Sequence, residues 1–390
     1  MLTTTESDHR VSRLQGMLRE NGVQAALFIR PIDSYYFTGT RQNSALWIPA
    51  EGSPVLLVRK SLNRAREESP IADIRPFPSG KEFASQFSEA CTTIGMTFDA
   101  IPVQQLNYYT KLFPGRNIVD ISMINRDIRS VKSPFELDQL RNSAQKLSSV
   151  FAGVPQFLKA GMRELDLSAE FEYRLRKAGH EGFIRMRAFN QELFGGLAVS
   201  AGAASYGCFD GPVTGKGLSS ASPQGASLAP ICENEPVLLD YAFVCNGYII
   251  DMTRIFVIGT LDAELQRAFD CAIEIQEAVR QGMKPGVICE ELFALSLSMA
   301  EKAGFGSSFM GMPGEQAKFI GHGVGLELDE YPVLAQGFKM PLQAGQTVAV
   351  EPKFVIPGKG VIGIENTFAV SENGGVRLAD FSDSIVFIKP

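Results

Sequence analysis

The sequence predicts a two-domain α/β protein, and three observations carry that expectation. The chain has 390 residues, enough for two separate cores. Ser133-Pro134-Phe135-Glu136 forms a capping box with Pro at the first helical position, so a helix restarts sharply a third of the way along. Strand-length apolar runs alternate with helical patterns on both sides of that point. The boundary is therefore placed between a smaller α/β domain, residues 1–131, and a larger domain, residues 132–390.

In the first domain, Val11, Leu14 and Leu18 recur at helical spacing. The runs at 25–29 and 54–58 are apolar and bounded by Gly and Pro, which suits buried strands. The second domain opens with the helix after Ser133, whose apolar face continues through Leu137, Leu140, Ala144, Leu147 and Phe151. Two further helices are expected near 262–282 and 289–303, each followed by a breaker, Pro285-Gly286 and Gly304. Strands dominate 236–259 and 346–388.

The net charge is −6, and no stripe of Lys and Arg appears, which argues against a nucleic-acid partner. No apolar run approaches a membrane span. The first ten residues are polar, so no secretory signal is expected and the cytoplasm is the expected location. The six cysteines are scattered without a CxxC pair and read as buried free thiols. There are only three histidines. His9 lies in a terminus expected to be mobile, and His180 at a helix end or in a loop, which leaves His322 for chemistry.

Two strand-like runs flank Asn246-Gly247, the preferred centre of a two-residue hairpin. Pairing Cys245 with Tyr248 sets Ala242 opposite Asp251, and period-two alternation puts Asp240 on the face of Ala242. Asp240 and Asp251 are then diagonal neighbours on one face, although a solvated pair of carboxylates would look the same. A second hairpin surrounds Pro357-Gly358-Lys359-Gly360 and carries Glu351 and Glu365 inside apolar runs. Pairing Ile356 with Gly360 would set the two glutamates opposite each other, whereas an even loop would separate them; the sequence leaves both registers open. Unpaired ionised carboxylates in apolar strands are costly, so a shared cation is indicated. His322, flanked by Gly321, Gly323 and Gly325, supplies one imidazole. Carboxylates with one imidazole suit Mn, Co, Fe or Zn, and four carboxylates formally balance two such divalent ions.

Asp240, Asp251, His322, Glu351 and Glu365, in this order and in these surroundings, resemble the ligand set of the pita-bread metallopeptidases. That group includes aminopeptidase P, prolidase, methionine aminopeptidase and the metal-free creatinase. The stretches GYIIDMTRIF, GHGVGLELDEYP, VEPKF and GIENT each match part of the pattern. Residues 1–130 resemble the creatinase-type N-terminal domain of prolidase and aminopeptidase P. The resemblance implies two divalent ions, Asp240 at one, His322 and Glu351 mainly at the other, and Asp251 and Glu365 at both. It also implies that a water activated between the ions attacks the scissile carbonyl while Glu351 handles its proton. A small peptide or amide substrate and a homodimer are the expected partners.

The substrate side departs from the pattern. Proline-specific members carry a His in the segment matching Asp329-Glu330-Tyr331-Pro332, and here Asp329 stands in its place. They carry another His in the loop that here holds Tyr206 and Asp210, and an Arg where Gly363 stands. An ionised Asp accepts hydrogen bonds but cannot donate them to a reacting carbonyl. Asp329 is a candidate base, and Tyr206 and Asp210 are candidate substrate contacts. The expected activity is metal-dependent hydrolysis of a peptide-like amide with altered specificity. The alternatives are a lyase or small-molecule amidohydrolase on the same metal frame, or a metal-binding homologue without catalysis.

Overall fold

The computed structural model describes residues 1–187, 196–207 and 211–390. The chain divides into two compact units, Met1–Arg129 and Ser130–Pro390.

In the first unit, six strands form one mixed sheet: β1 (Ala25–Phe28), β2 (Ser44–Pro49), β3 (Val55–Val58), β4 (Asp73–Pro76), β5 (Thr93–Met96) and β6 (Asn117–Asp120). Their order is β4-β3-β2-β1-β5-β6. Pairing is antiparallel across β1–β2 and β2–β3 and parallel elsewhere. Trp47 stacks on Phe87 with ring centroids 4.2 Å apart, and Phe83 and Phe113 complete this aromatic core. The first residues are not a loose tail. Thr3 caps a helix, Thr4–Glu20, which takes in His9 and buries Val11, Leu14 and Leu18.

In the second unit, β7 (Gly196–Ser200), β8 (Pro236–Cys245), β9 (Tyr248–Ile258) and a late strand, Val386–Ile388, share one sheet. Cys245 pairs with Tyr248 and Ala242 with Asp251, the register expected from Asn246-Gly247. Both turn residues have positive φ, 51° and 79°, as a type I′ turn demands. A second sheet contains Phe319–Val324, Leu328–Ala335, Thr347–Val350 and Asn366–Ala369. Between the last two of these lies a separate hairpin of Lys353–Ile356 with Gly360–Gly363. An antiparallel bridge, Thr253↔Glu365, ties the two halves of the unit together.

The helix Pro134–Ala152 begins with the full capping box of Ser133 and Glu136 and packs on β8 and β9. Helices Ala263–Gly282 and Cys289–Lys302 pack on each other, and the first also covers the Lys353–Gly363 hairpin. Leu265, Ala268, Ala272, Ile275 and Val279 form its buried stripe, at the spacing of one helix face. The main core lies between these helices and the strands. Cys91, Cys245, Cys271 and Cys289 are buried free thiols, Cys232 is exposed, contrary to the expectation that all would be buried, and Cys208 lies outside the described residues. Among the described residues no helix is long and apolar enough to cross a membrane.

Candidate metal centre

Period-two alternation brings the acidic residues together. Asp240 lies on β8 and Asp251 on β9, facing the same side. In the second hairpin Ile356 pairs with Gly360, so the turn has an odd number of residues and the odd positions 351, 353 and 355 share a face. This is the register that turns Glu351 and Glu365 toward each other. His322 sits on the strand Phe319–Val324, which pairs with Leu328–Ala335 on one side and Thr347–Val350 on the other. A Cβ on Gly323 would lie 2.4 Å from the Glu330 carbonyl oxygen, so only glycine lets the neighbouring strand pass this close.

Two groups of ligand-type atoms result, each with its atoms within 4.8 Å of one another: Asp251, His322 and Glu365, and Asp240, Glu351 and Glu365. Glu365 belongs to both. Its Oε2 accepts from the Thr253 hydroxyl at 2.8 Å. Its Oε1 is buried without a hydrogen-bond partner among the described residues, 3.9 Å from His322 Nε2. Glu351 divides its oxygens: Oε1 lies 3.6 Å from His322 Nε2, and Oε2 accepts from Lys353 at 2.7 Å. A buried, unpartnered carboxylate oxygen beside an imidazole nitrogen is costly unless a cation joins them. The Asp251, His322 and Glu365 group therefore fits a divalent ion.

The second group is different, because Lys353 already stands among its carboxylates. Its ammonium donates to Asp240 Oδ2 at 2.8 Å, Glu351 Oε2 at 2.7 Å and Glu365 Oε2 at 3.2 Å. The side chain is 1% exposed. Opposite it in the hairpin stands Gly363, where a Cβ would come within 2.8 Å of Lys353 Cα and Cγ. Sequence reasoning missed Lys353. A signal was present, since a residue two places beyond Glu351 in a strand shares its face.

The charges perturb one another. Burial, reinforced by the Glu365 and Asp240 charges, holds the Asp251 carboxyl well above its usual range. Burial also raises Asp240, with Lys353 pulling the other way. For Lys353, burial opposes the charge, but Asp240, Glu351 and Glu365 outweigh it and hold the ammonium well above its ordinary value. His322 is raised in the same way: burial opposes protonation, and Asp329, Glu351 and Glu365 favour it.

Asp329 has φ 60° and places Oδ1 3.2 Å from His322 Nδ1, on the ring edge away from the carboxylate cluster. Tyr206 is 53% exposed and lines a cavity of about 410 Å³ with Thr214, Met312, Glu315 and Val355. The Lys216 ammonium lies 5.5 Å from the centre of its ring. Asp210 lies outside the described residues. His180 is buried, and its Nδ1 accepts from the Val244 amide at 2.9 Å, a structural role.

The chain is similar to known proteins along nearly its whole length. A model of the Creatinase/Prolidase N-terminal domain matches residues 10–131, and one of Metallopeptidase family M24 matches residues 138–372. An Xaa-Pro dipeptidase of Pyrococcus furiosus is 25% identical over 376 residues, covering 95% of this chain and 97% of its own. An uncharacterised peptidase of Staphylococcus epidermidis is 25% identical over 372 residues, covering 94% of this chain and 97% of its own. Among solved structures, an Xaa-Pro dipeptidase from Bacillus anthracis aligns with a TM-score of 0.83 at 22% identity, over 98% of this chain and 100% of that one. A prolidase from Pyrococcus horikoshii aligns with a TM-score of 0.79 at 22% identity, over 96% of this chain and 99% of that one. These likenesses give the second unit the pita-bread fold. With the family pattern matched across most of the chain, the protein belongs to Metallopeptidase family M24, a hydrolase of that fold preceded by a creatinase/prolidase N-terminal domain.

Proposed function

We propose that this chain hydrolyses a peptide-like amide bond in a small substrate, using a divalent metal ion held by Asp251, His322 and Glu365. The observation that carries this reading is the buried Glu365 Oε1, unpartnered among the described residues and 3.9 Å from His322 Nε2. An ion bound there supplies Lewis-acid polarisation of a carbonyl and activation of water at neutral pH. The protein's own groups do the rest. Asp329 faces His322 Nδ1 and orients the ring so that Nε2 points at the carboxylates. Glu351 Oε1, beside the same nitrogen, is the group placed to take and return a proton. Asp329, with Oδ1 turned toward His322, is less available as the base that would have favoured the lyase reading.

The relatives named Xaa-Pro dipeptidases make such dipeptides the first class to test. Slow turnover is expected, because the histidine donors of proline-specific members have no counterpart at Asp329. Loss of one donor to a developing oxyanion costs about 3 kcal/mol, roughly a hundredfold in rate. The experiment is a panel of dipeptides and small amides with added Mn or Co, run alongside Asp251→Ala. We expect metal-dependent cleavage of at least one member, abolished in the variant, with Xaa-Pro substrates among the slower. Metal-loaded protein that cleaves nothing would overturn the reading. Fast Xaa-Pro cleavage would show that the histidine donors are dispensable here.

A further inference from the structure

Two cation positions are built into this cluster, and one of them already contains a cation. Three carboxylates converge on the Lys353 ammonium at 2.7–3.2 Å. An ammonium has three N–H donors, so all of them are spent on Asp240, Glu351 and Glu365. A divalent ion bound by the same oxygens would need bonds of about 2.0–2.2 Å, which places it on top of the ammonium nitrogen. The side chain cannot easily step aside. It is 1% exposed, starts from the first residue of a buried strand, and lies against the close-packed backbone at Gly363. Leaving would also strip a buried ammonium of every hydrogen bond it makes.

The charge count points the same way. Asp240, Asp251, Glu351 and Glu365 carry four negative charges, which one divalent ion and one ammonium nearly balance. Two divalent ions beside the ammonium would make the cluster net positive in a buried setting and bring like charges into contact. The vacant acceptor is also in the right place. Glu365 Oε1, without a hydrogen-bond partner among the described residues, lies toward His322, whereas Glu365 Oε2 is engaged by Thr253 and Lys353.

We propose that Lys353 permanently fills the second cation position, so that each chain takes up one divalent ion, at Asp251, His322 and Glu365, and not two. The inference rests on the hydrolase reading only for the ion it retains. Lys353 then acts as a fixed charge. It holds Asp240, Glu351 and Glu365 in place without exchanging with solvent, and it offers no donor to substrate because none is free.

The test is a metal count on the full chain, stripped with chelator and dialysed against Mn(II). Elemental analysis of the wild type should give about one ion per chain. Its electron paramagnetic resonance spectrum should be that of an isolated Mn(II), not of an exchange-coupled pair. Lys353→Ala should take up a second ion, and its spectrum should become that of a coupled pair. The wild-type count decides how many ions the chain holds even if the variant does not fold. Two coupled ions in the wild type would overturn the proposal and leave the hydrolase reading intact. No ion in the wild type would overturn both. A folded Lys353→Ala that still holds only one ion would show that something other than Lys353 excludes the second.

Discussion

At Asp329 the backbone adopts a left-handed conformation that Asp and Asn tolerate better than most residues. Its Oδ1 lies 3.2 Å from His322 Nδ1, a partner that favours a proton on that nitrogen and would leave Nε2 to face an ion. Asp329→Asn retains the shape and the backbone preference but removes the charge behind the ring. Such outer partners typically matter tenfold or more in metal affinity, so titration calorimetry with Mn(II) should show about tenfold weaker binding. The melting temperature of the chelated protein should barely move. An unchanged affinity would mean that the imidazole is oriented by its strand alone.

At the scale of elements, the two hairpins differ in how far the sequence foretells them. Asn246-Gly247 is a turn with one favoured geometry, so the face shared by Asp240 and Asp251 is legible in the residues themselves. The Pro357-Gly358-Lys359 connection has no such signature, and its odd length emerges only from the pairing of Ile356 with Gly360. Lys353 is hidden for a different reason. A lysine in a strand normally extends its head to water, and although Glu351 two places back shares its face, nothing local in the sequence announces that Asp240 and Glu365 will close around it as well. The loop holding Tyr206 has no periodicity at all, so its residues can be singled out only by position. The hairpin itself is tightly specified at Gly363. Gly363→Ala would put a Cβ 2.5 Å from the Pro352 carbonyl oxygen and 2.8 Å from Lys353. Overpacking of this kind costs about 1–3 kcal/mol. Denaturant unfolding should therefore show a lower midpoint at unchanged slope, and a variant as stable as the wild type would refute this account of the close approach.

For the molecule as a whole, acid stability should carry the mark of His180. Burial, with the Arg176 charge adding to it, lowers its pKa from 6.5 to about 4. Between those values the unfolded chain binds the proton and the folded chain does not, so stability rises with pH across that window and is lost as pH falls through it. The loss reaches ~3 kcal/mol near pH 4 at about 1.4 kcal/mol per unit. His180→Asn keeps an acceptor for the Val244 amide and removes the titration, so the stability of the chelated variant should fall less steeply between pH 6.5 and 4. Parallel pH profiles for the two proteins would rule His180 out as the source.

The bridge between Thr253 and Glu365 joins residues 112 positions apart in the chain. Closing a loop of that length gives no return until both sheets are largely formed, so Asp251, His322 and Glu365 come within reach of one another late in folding. A ligand that recognises only this late arrangement cannot speed the search that precedes it. Manganese at a hundred times its dissociation constant should add about 2.7 kcal/mol, and nearly all of it should appear as roughly hundredfold slower unfolding with the refolding rate unchanged. Stopped-flow traces with and without chelator would measure the two rates separately. The ion would then act as a latch on the finished fold and not as a guide toward it.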